Sequence, residues 1–510
     1  MRGVASPVVS SPTVVPSMKR TMRKLLSLSC LAALAVLSWN GSAYGQAPPG
    51  DETTSPDRDE VDLREVLQLS VADSLAQLRA APVDLGEGQP RAFLAVHSAS
   101  PNVDPWHAYF RFPEHSLKLT LFTTEGKIRW QRDLGPGVVA GTWFAPVLPF
   151  DLNEDGRDEI WLVGNNQPEH PLSLYGMRLK RLDARTGETT GEWDWPRPAS
   201  GQSMSHTYRF YILGGYADGE PVLVTAQGTY GPMRLQGWNP NMSRRWEREI
   251  GADQPGPRGS HMVPVVDINN DDVDEILWGE RAISTATGES LFVADEETWN
   301  GHSDLILPLR DPATGEWSIF TARETPSPGN QVVMYDAEGE RLWSDVEGGH
   351  MDRGWIARLG EERTPVAMAA RLEKQGEGME KQGFREFAYH PETGETYALP
   401  YDKYRDGAYR TIPVDLDGDA WHEITRNGVV IDRNGQQVAT YDGEVAMASK
   451  FLDHAGEQLL TWTPDGRVHI YAHANARDSN AAEERYQHPS YQLNQQFTAF
   501  GYNLVLLGGI

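Results

Sequence analysis

The chain has 510 residues, enough for several average domains or one large repeat-built domain. Its 72 Asp and Glu against 46 Lys and Arg leave a formal charge of -26, which repels a nucleic-acid backbone and excludes DNA and RNA as expected partners. The 49 Gly and 34 Pro, with 16 Trp and 18 Tyr, lean the composition towards all-β structure, and a single Cys excludes a disulfide framework.

Lys19, Arg20, Arg23 and Lys24 precede an apolar run from Leu25 to Trp39, the order of a secretory signal. Ala43-Tyr44-Gly45 places small residues where a signal peptidase reads, so residues 1–45 are expected to be a signal peptide, with 1–17 an extension upstream of a start at Met18. The run is too short to span a bilayer, and no transmembrane segment is expected. Cys30 falls inside the signal, where Ser27-Leu28-Ser29-Cys30 resembles a lipoprotein box; lipidation is the lesser alternative to a secreted or periplasmic protein without a thiol. Residues 46–61 are Pro, Asp, Thr and Ser with almost nothing apolar, and are expected to be a disordered linker.

The apolar spacing from Val61 to Ala81 predicts one short helix. Beyond Arg91 helical periodicity gives way to short apolar runs separated by Gly, Asp, Asn and Pro. A unit recurs: strand, acidic or Gly turn, then a second strand ending in an aromatic or other apolar residue. Copies run from Leu121 to Trp130, Leu182 to Trp193, Trp238 to Trp246, Ala282 to Phe292, Met334 to Trp343, Tyr389 to Leu399, Ile431 to Tyr441 and Trp462 to Ile470. The spacing of the first five, roughly 45 to 65 residues, includes the period of a four-stranded blade. Residues 62–510 are therefore expected to form a single all-β propeller of seven or eight four-stranded blades, in preference to a two-sheet sandwich, because radial closure protects the edges.

Three acidic segments share a tighter pattern: Asp151 to Glu159, Asp267 to Glu275 and Asp415 to Glu423. Oxygen donors at positions one, three, five and nine suit calcium: Asp151, Asn153, Asp155 and Glu159; Asp267, Asn269, Asp271 and Glu275; Asp415, Asp417, Asp419 and Glu423. The alternative is a set of solvated acidic turns. Gly156 frees the backbone at the sixth position of the first loop, whereas Asp272 and Ala420 stand there in the others, which ranks the first loop strongest and the third weakest. These segments resemble the calcium loops of FG-GAP repeats, which implies a structural role for the ion.

Polar clusters punctuate the chain: Asn165 to His170, Ser205 to Arg209, Gln227 to Arg234, Pro257 to His261, Asn300 to Asp304 and Gly349 to Gly354. Gln227-Gly228-Thr229-Tyr230, then Pro264 to Asp267 with its acidic loop, then Gly301-His302-Ser303-Asp304, and finally Phe497 to Asn503, resemble in order and spacing the β-propeller polysaccharide lyases acting on rhamnogalacturonan and ulvan. The resemblance spans about Leu119 to the end and implies β-elimination at a uronic acid, which needs a base at C5, an acid at O4 and a cation or proton donor at the carboxylate. It offers Tyr230, His170, His206 and His261 for proton exchange, Tyr230 foremost with His170 as partner. Arg234, Arg258, His302 and Tyr208 are its candidates for holding substrate. The expected protein is a monomer acting on an acidic polysaccharide, and the acidic surface leans the expectation from rhamnogalacturonan to ulvan. The competing reading is a non-catalytic calcium propeller binding a glycan or protein at the cell surface, which predicts Tyr230 and His170 apart. No Cys pair supports a quinone-dependent propeller dehydrogenase, and no Gly-x-Ser-x-Gly elbow or His-Glu-x-x-His helix occurs.

Overall fold

Strands buried on both faces alternate with strands half open to water, and that gradient sets the architecture. Gln77–Val83 and Ala92–Ser98 are buried throughout, whereas Ile128–Asp133 and Thr189–Asp194 alternate between exposed and intermediate positions. The computed structural model describes residues 61–105, 111–197, 203–324, 329–375, 381–399, 411–500 and 502–510. The expected signal peptide with its Cys30, its upstream extension and all of the expected linker except Val61 lie outside the described residues. Val61 itself is buried, so ordered packing begins within the range expected to be linker.

The strands form eight antiparallel sheets arranged radially as a propeller, which settles the choice between seven and eight blades. Seven sheets have four strands; the sixth has three, and an isolated bridge from Tyr389 to Thr396 continues it where a fourth would start. The innermost strands are Gln77–Val83, Val147–Phe150, Phe210–Ala217, Val265–Val266, Ser303–Arg310, His350–Arg358, Ile412–Val414 and Glu444–Ser449. The expected helix at Val61–Ala81 is instead two strands. Leu63–Ser70 pairs with Arg467–His473 as the outermost strand of the eighth blade, so the first strand closes the ring against the last. A bulge between Glu65 and Leu67 breaks strict alternation there, which is why its leucines mimicked helical spacing. The hairpin from Trp462 to Ile470 accordingly joins middle strands, whereas the earlier copies mark the two outer strands.

The recurring aromatic and glycine are a contact between blades. A Cβ on Gly187 would lie 2.7 Å from Trp130, and one on Gly288 would lie 2.4 Å from Trp246, so the aromatic ending one blade rests on the bare hairpin turn of the next. Both glycines have positive φ, and Trp130 Nε1 donates to Ala184 O at 2.8 Å while Trp246 Nε1 donates to Thr285 O at 2.7 Å. The chain end fills the ring's centre. Helices Asn480–Gln487 and Pro489–Gln496 and the 3-10 turns Phe497–Phe500 and Tyr502–Gly509 pack on the innermost strands. Asn494 accepts from Val265 N at 3.1 Å and donates to Val265 O at 2.7 Å, an amide standing in for a missing strand neighbour.

Innermost strands all run the same way, so the connections that precede them meet at one rim, together with the turns between second and third strands. The three acidic loops follow innermost strands and lie on the opposite rim. Among the described residues no helix is long and apolar enough to cross a membrane.

Candidate active site

At the first rim, the third to sixth blades bring titratable side chains into one cluster. Tyr230 comes from the turn after Glu220–Gln227, and Glu324 from the equivalent turn two blades on, after Trp317–Arg323. His261 and the His302 and Asp304 pair sit at the start of the fourth and fifth innermost strands, and His350 with Asp352 begins the sixth. Tyr230 Oη lies 3.0 Å from His261 Nε2 and 3.0 Å from Glu324 Oε2. His261 Nδ1 is 3.0 Å from Asp304 Oδ1, while His302 Nε2 is 3.4 Å from both Asp304 Oδ1 and Glu324 Oε2. His350 Nε2 stands 3.6 Å from Glu324 Oε1 and from Asp352 Oδ1. Arg209, buried at the start of the third blade, places its guanidinium 5.2 Å from the Tyr230 ring centre and pairs with Asp104 at 3.1 Å. His206 stacks near Tyr230 with centroids 5.9 Å apart.

Tyr230, His206, His261 and His302 of the expected set are therefore brought together, and the other four are not. His170 is exposed in a turn where its backbone bonds Gln167 and Ser173, and none of the cluster's contacts reaches it. Arg234 pairs with Glu249 at 2.7 Å on the outer strands. Arg258 donates to Gly251 O and Gln254 O, holding its own loop. Tyr208 donates to Leu172 O at 2.5 Å and stacks on Phe144, a packing role. Asp304, Glu324, His350, Asp352 and Arg209 were without assigned roles. The signal for three of them is the repeated His-x-Asp, His302 to Asp304 and His350 to Asp352, opening successive innermost strands.

With this geometry in view, residues 199–388 match the family model described as rhamnogalacturonan lyase family 11, C-terminal domain. That segment contains every residue of the Tyr230 cluster. The propeller is similar in fold to those of the rhamnogalacturonan lyases. The chain is 28% identical over 273 residues to the rhamnogalacturonan exolyase YesX of Bacillus subtilis, and 23% identical over 276 residues to the endolyase YesW of the same organism. Each match takes in 47% of this chain, and 44% and 43% of those proteins, so the chain spans less than half the length of the curated relatives it matches. The crystal structure of a Bacillus licheniformis rhamnogalacturonan lyase superposes with a TM-score of 0.68 at 19% identity, covering 87% of this chain and 80% of that one. The YesW structure gives 0.69 at 18% identity, covering 87% and 80%.

Burial sets the protonation states at this rim. It pushes Tyr230 well above the usual phenol value, against the pull of Arg209 and with the push of Glu324 and Asp304, so the hydroxyl keeps its proton. Burial pulls His261 down to about 3, leaving a neutral imidazole, and partial burial with the Arg209 charge also lowers His206. Burial alone would raise Asp304, but His261 and His302 hold it well below the usual carboxylate range. Glu324 is raised by burial and by Asp304.

Two donor groups could hold a metal ion at this rim: His261, His302, Asp304 and Glu324, and Asp304, His350 and Asp352, each with donor atoms within 4.8 Å of one another. His261 Nδ1, Asp304 Oδ1 and His350 Nε2 are buried yet lack aligned hydrogen bonds, the arrangement a cation satisfies. Two imidazoles with two carboxylates suit a transition-type divalent ion better than calcium. On the other rim only the third acidic loop gathers three carboxylates, Asp415, Asp417 and Asp419, among the described residues. In the first loop Asp151 accepts from Asp155 N and Gly156 N, Asp155 pairs with Arg157, and Glu159 accepts from Leu152 N. In the second, Asp267 and Glu275 are engaged by backbone N–H groups in the same way. The third loop shows the same engagement, Asp415 accepting from Gly418 N and Ala420 N and Glu423 from Leu416 N, and differs in the closeness of its three carboxylates. Asp272 and Ala420 adopt φ of 65° and 70° and take the conformation that Gly156 holds at 78°.

Proposed function

We propose that this chain is a polysaccharide lyase that cleaves rhamnogalacturonan by β-elimination at a uronic acid. The observation that carries the reading is the Tyr230 hydroxyl held between His261 and Glu324 at the rim where four blades meet. The relatives' printed activities support the polymer class, and they favour rhamnogalacturonan over the ulvan suggested by surface charge.

In the proposed reaction His206, held neutral, takes the proton from C5 of the uronate. The C4–O4 bond breaks, a double bond forms between C4 and C5, and Tyr230 gives its proton to the departing O4. Glu324, raised by burial and by Asp304, then returns a proton to Tyr230, while His206 releases the C5 proton to solvent, from which Glu324 is reprotonated. Arg209 and His350, the latter raised by Asp352, Asp304 and Glu324 despite burial, supply positive charge in an otherwise acidic molecule. A divalent cation on Asp304 and its histidine neighbours would neutralise the substrate carboxylate and acidify C5. Calcium on Asp415, Asp417 and Asp419 would have a structural role, since burial and mutual repulsion raise Asp415 well above its usual value. Export by residues 1–45 fits a substrate too large to enter a cell.

The isolation of His170 from Tyr230 is what a non-catalytic binding propeller expects; the convergence of His261 and Glu324 on the Tyr230 hydroxyl, with Arg209 over its ring, outweighs it. Purified protein incubated with rhamnogalacturonan, ulvan and polygalacturonate decides the matter. A rise in ultraviolet absorbance from unsaturated uronate on rhamnogalacturonan is expected. Absorbance only on another polymer would correct the substrate, and flat traces on all three would refute the lyase.

A further inference from the structure

The rim opposite the Tyr230 cluster carries a cavity of about 230 Å³ whose chemistry runs against the rest of the protein. In a chain of net charge -26, its wall includes Arg310, Arg358, Arg363, Arg485 and His488, with Ile510 at the end of the central plug. Arg310 and Arg358 end the fifth and sixth innermost strands, Arg363 follows in the next turn, and Arg485 with His488 comes from the helical plug. Ring closure therefore gathers cations from distant parts of the sequence at one point.

These arginines are not equivalent. Arg485 is neutralised by Glu457 at 2.6 Å and also donates to Leu507 O and Ile510 O. Arg363 donates to Asp419 O at 2.7 Å and lies over the Trp421 ring. Arg358 is 9% exposed, yet its guanidinium donates to no side chain or carbonyl among the described residues. Its backbone is engaged instead, the N–H donating to His422 Nδ1 at 2.9 Å and the C=O accepting from His422 N at 3.1 Å. The Arg310 guanidinium likewise has no hydrogen-bonded partner among the described residues. Glu362 and Glu484 also line the cavity, but both side chains are exposed at its mouth and neither pairs with Arg358.

A buried guanidinium without a counter-charge is costly, because it gives up hydration and gains nothing in return. Burial pulls Arg358 down to about 10, and the nearby Arg485 and Arg310 push the same way against the opposing charges of Asp415 and Asp311. The planar fork of a guanidinium matches two oxygens of a carboxylate, sulfate or phosphate. We propose that this cavity is an anion site in which Arg358 and Arg310 bind one oxyanion, either an inorganic tetrahedral anion or the carboxylate of a uronic acid sugar. Its position across the ring from Tyr230 makes it separate from the elimination site.

Calorimetric titration of the intact protein with sodium phosphate, sodium sulfate and sodium galacturonate, at constant ionic strength set by sodium chloride, tests this directly and without reference to activity. Saturable one-site binding of at least one probe is expected, with a matching rise in Tm. Arg358→Met and, for a residue less buried and safer for folding, Arg310→Gln should each weaken it at least about tenfold. Binding of phosphate or sulfate alone identifies a tetrahedral anion; binding of galacturonate alone identifies a sugar carboxylate. Heats that never saturate with any probe, or affinity unchanged in both variants, would overturn the proposal.

Discussion

The Tyr230 hydroxyl and His261 Nε2, 3.0 Å apart, belong to neighbouring blades and are separated by 31 positions in the chain. Nothing local holds them together. Their contact exists because the third and fourth blades pack side by side, and it couples the fold's closure to the protonation of the phenol.

Tyr230→Phe removes only the hydroxyl and leaves the ring on His302, 4.2 Å away, so the fold should survive. Its kcat is expected to fall by about 10²–10⁴, the usual contribution of a positioned proton donor, with KM and Tm little changed. Initial rates of ultraviolet absorbance and a melting curve of the same sample check this.

His170→Ala and Arg234→Gln are expected to retain wild-type rates, because neither side chain belongs to the cluster. His261→Gln, by contrast, should lose activity about as severely as Tyr230→Phe. Rates measured side by side on one polymer preparation distinguish the site read from structure from the one read from sequence.

How much of this was legible in advance follows from what each residue contacts. Trp130, Trp246 and Trp343 stood out in sequence because each lies near the start of an outermost strand and rests on the hairpin turn of the next blade, at Gly187, Gly288 and Gly394 respectively. That is a repeated local pairing with a fixed spacing. Tyr230 and His302, which the structure brings together, were legible as candidates because their motifs are contiguous. Glu324 was not, since Arg323-Glu324 has no motif and gains meaning only when the fifth blade turns it towards the third. His170 and Arg258 lie outside the cluster for the opposite reason: they are polar residues in loops that their own local bonds hold.

Chelation should strip divalent metal from the histidine and carboxylate cluster and lower activity more than about tenfold, with recovery on adding the cation back. Asp304→Asn, which weakens both donor groups at their shared member, should retain less metal by elemental analysis and recover less activity. Full activity in chelator with no bound metal would remove the cation from the account.

Asn494→Ala deletes the amide that pairs with both the N–H and C=O of Val265. Leaving two buried backbone groups unsatisfied should cost about 2–4 kcal/mol, measured by denaturant unfolding, and loosen the central plug.

Glu386 gives a stability change with a definite sign in pH. Burial raises its carboxyl from 4.5 to about 7, with Arg426 opposing. The folded state therefore holds a proton that the unfolded state releases between those values. The stability tied to that proton is complete below 4.5 and lost as pH rises to about 7. Glu386→Gln, which cannot ionise, should raise Tm relative to wild type at about pH 8 and change it little at about pH 4.

The most direct measurement is mass spectrometry of the oligosaccharides released from rhamnogalacturonan in water enriched in heavy oxygen. The account predicts unsaturated products with no heavy oxygen incorporated by bond cleavage, and almost none of these products from Tyr230→Phe. Saturated products that carry the label would show hydrolysis, and unsaturated products formed at an undiminished rate by Tyr230→Phe would place the chemistry elsewhere.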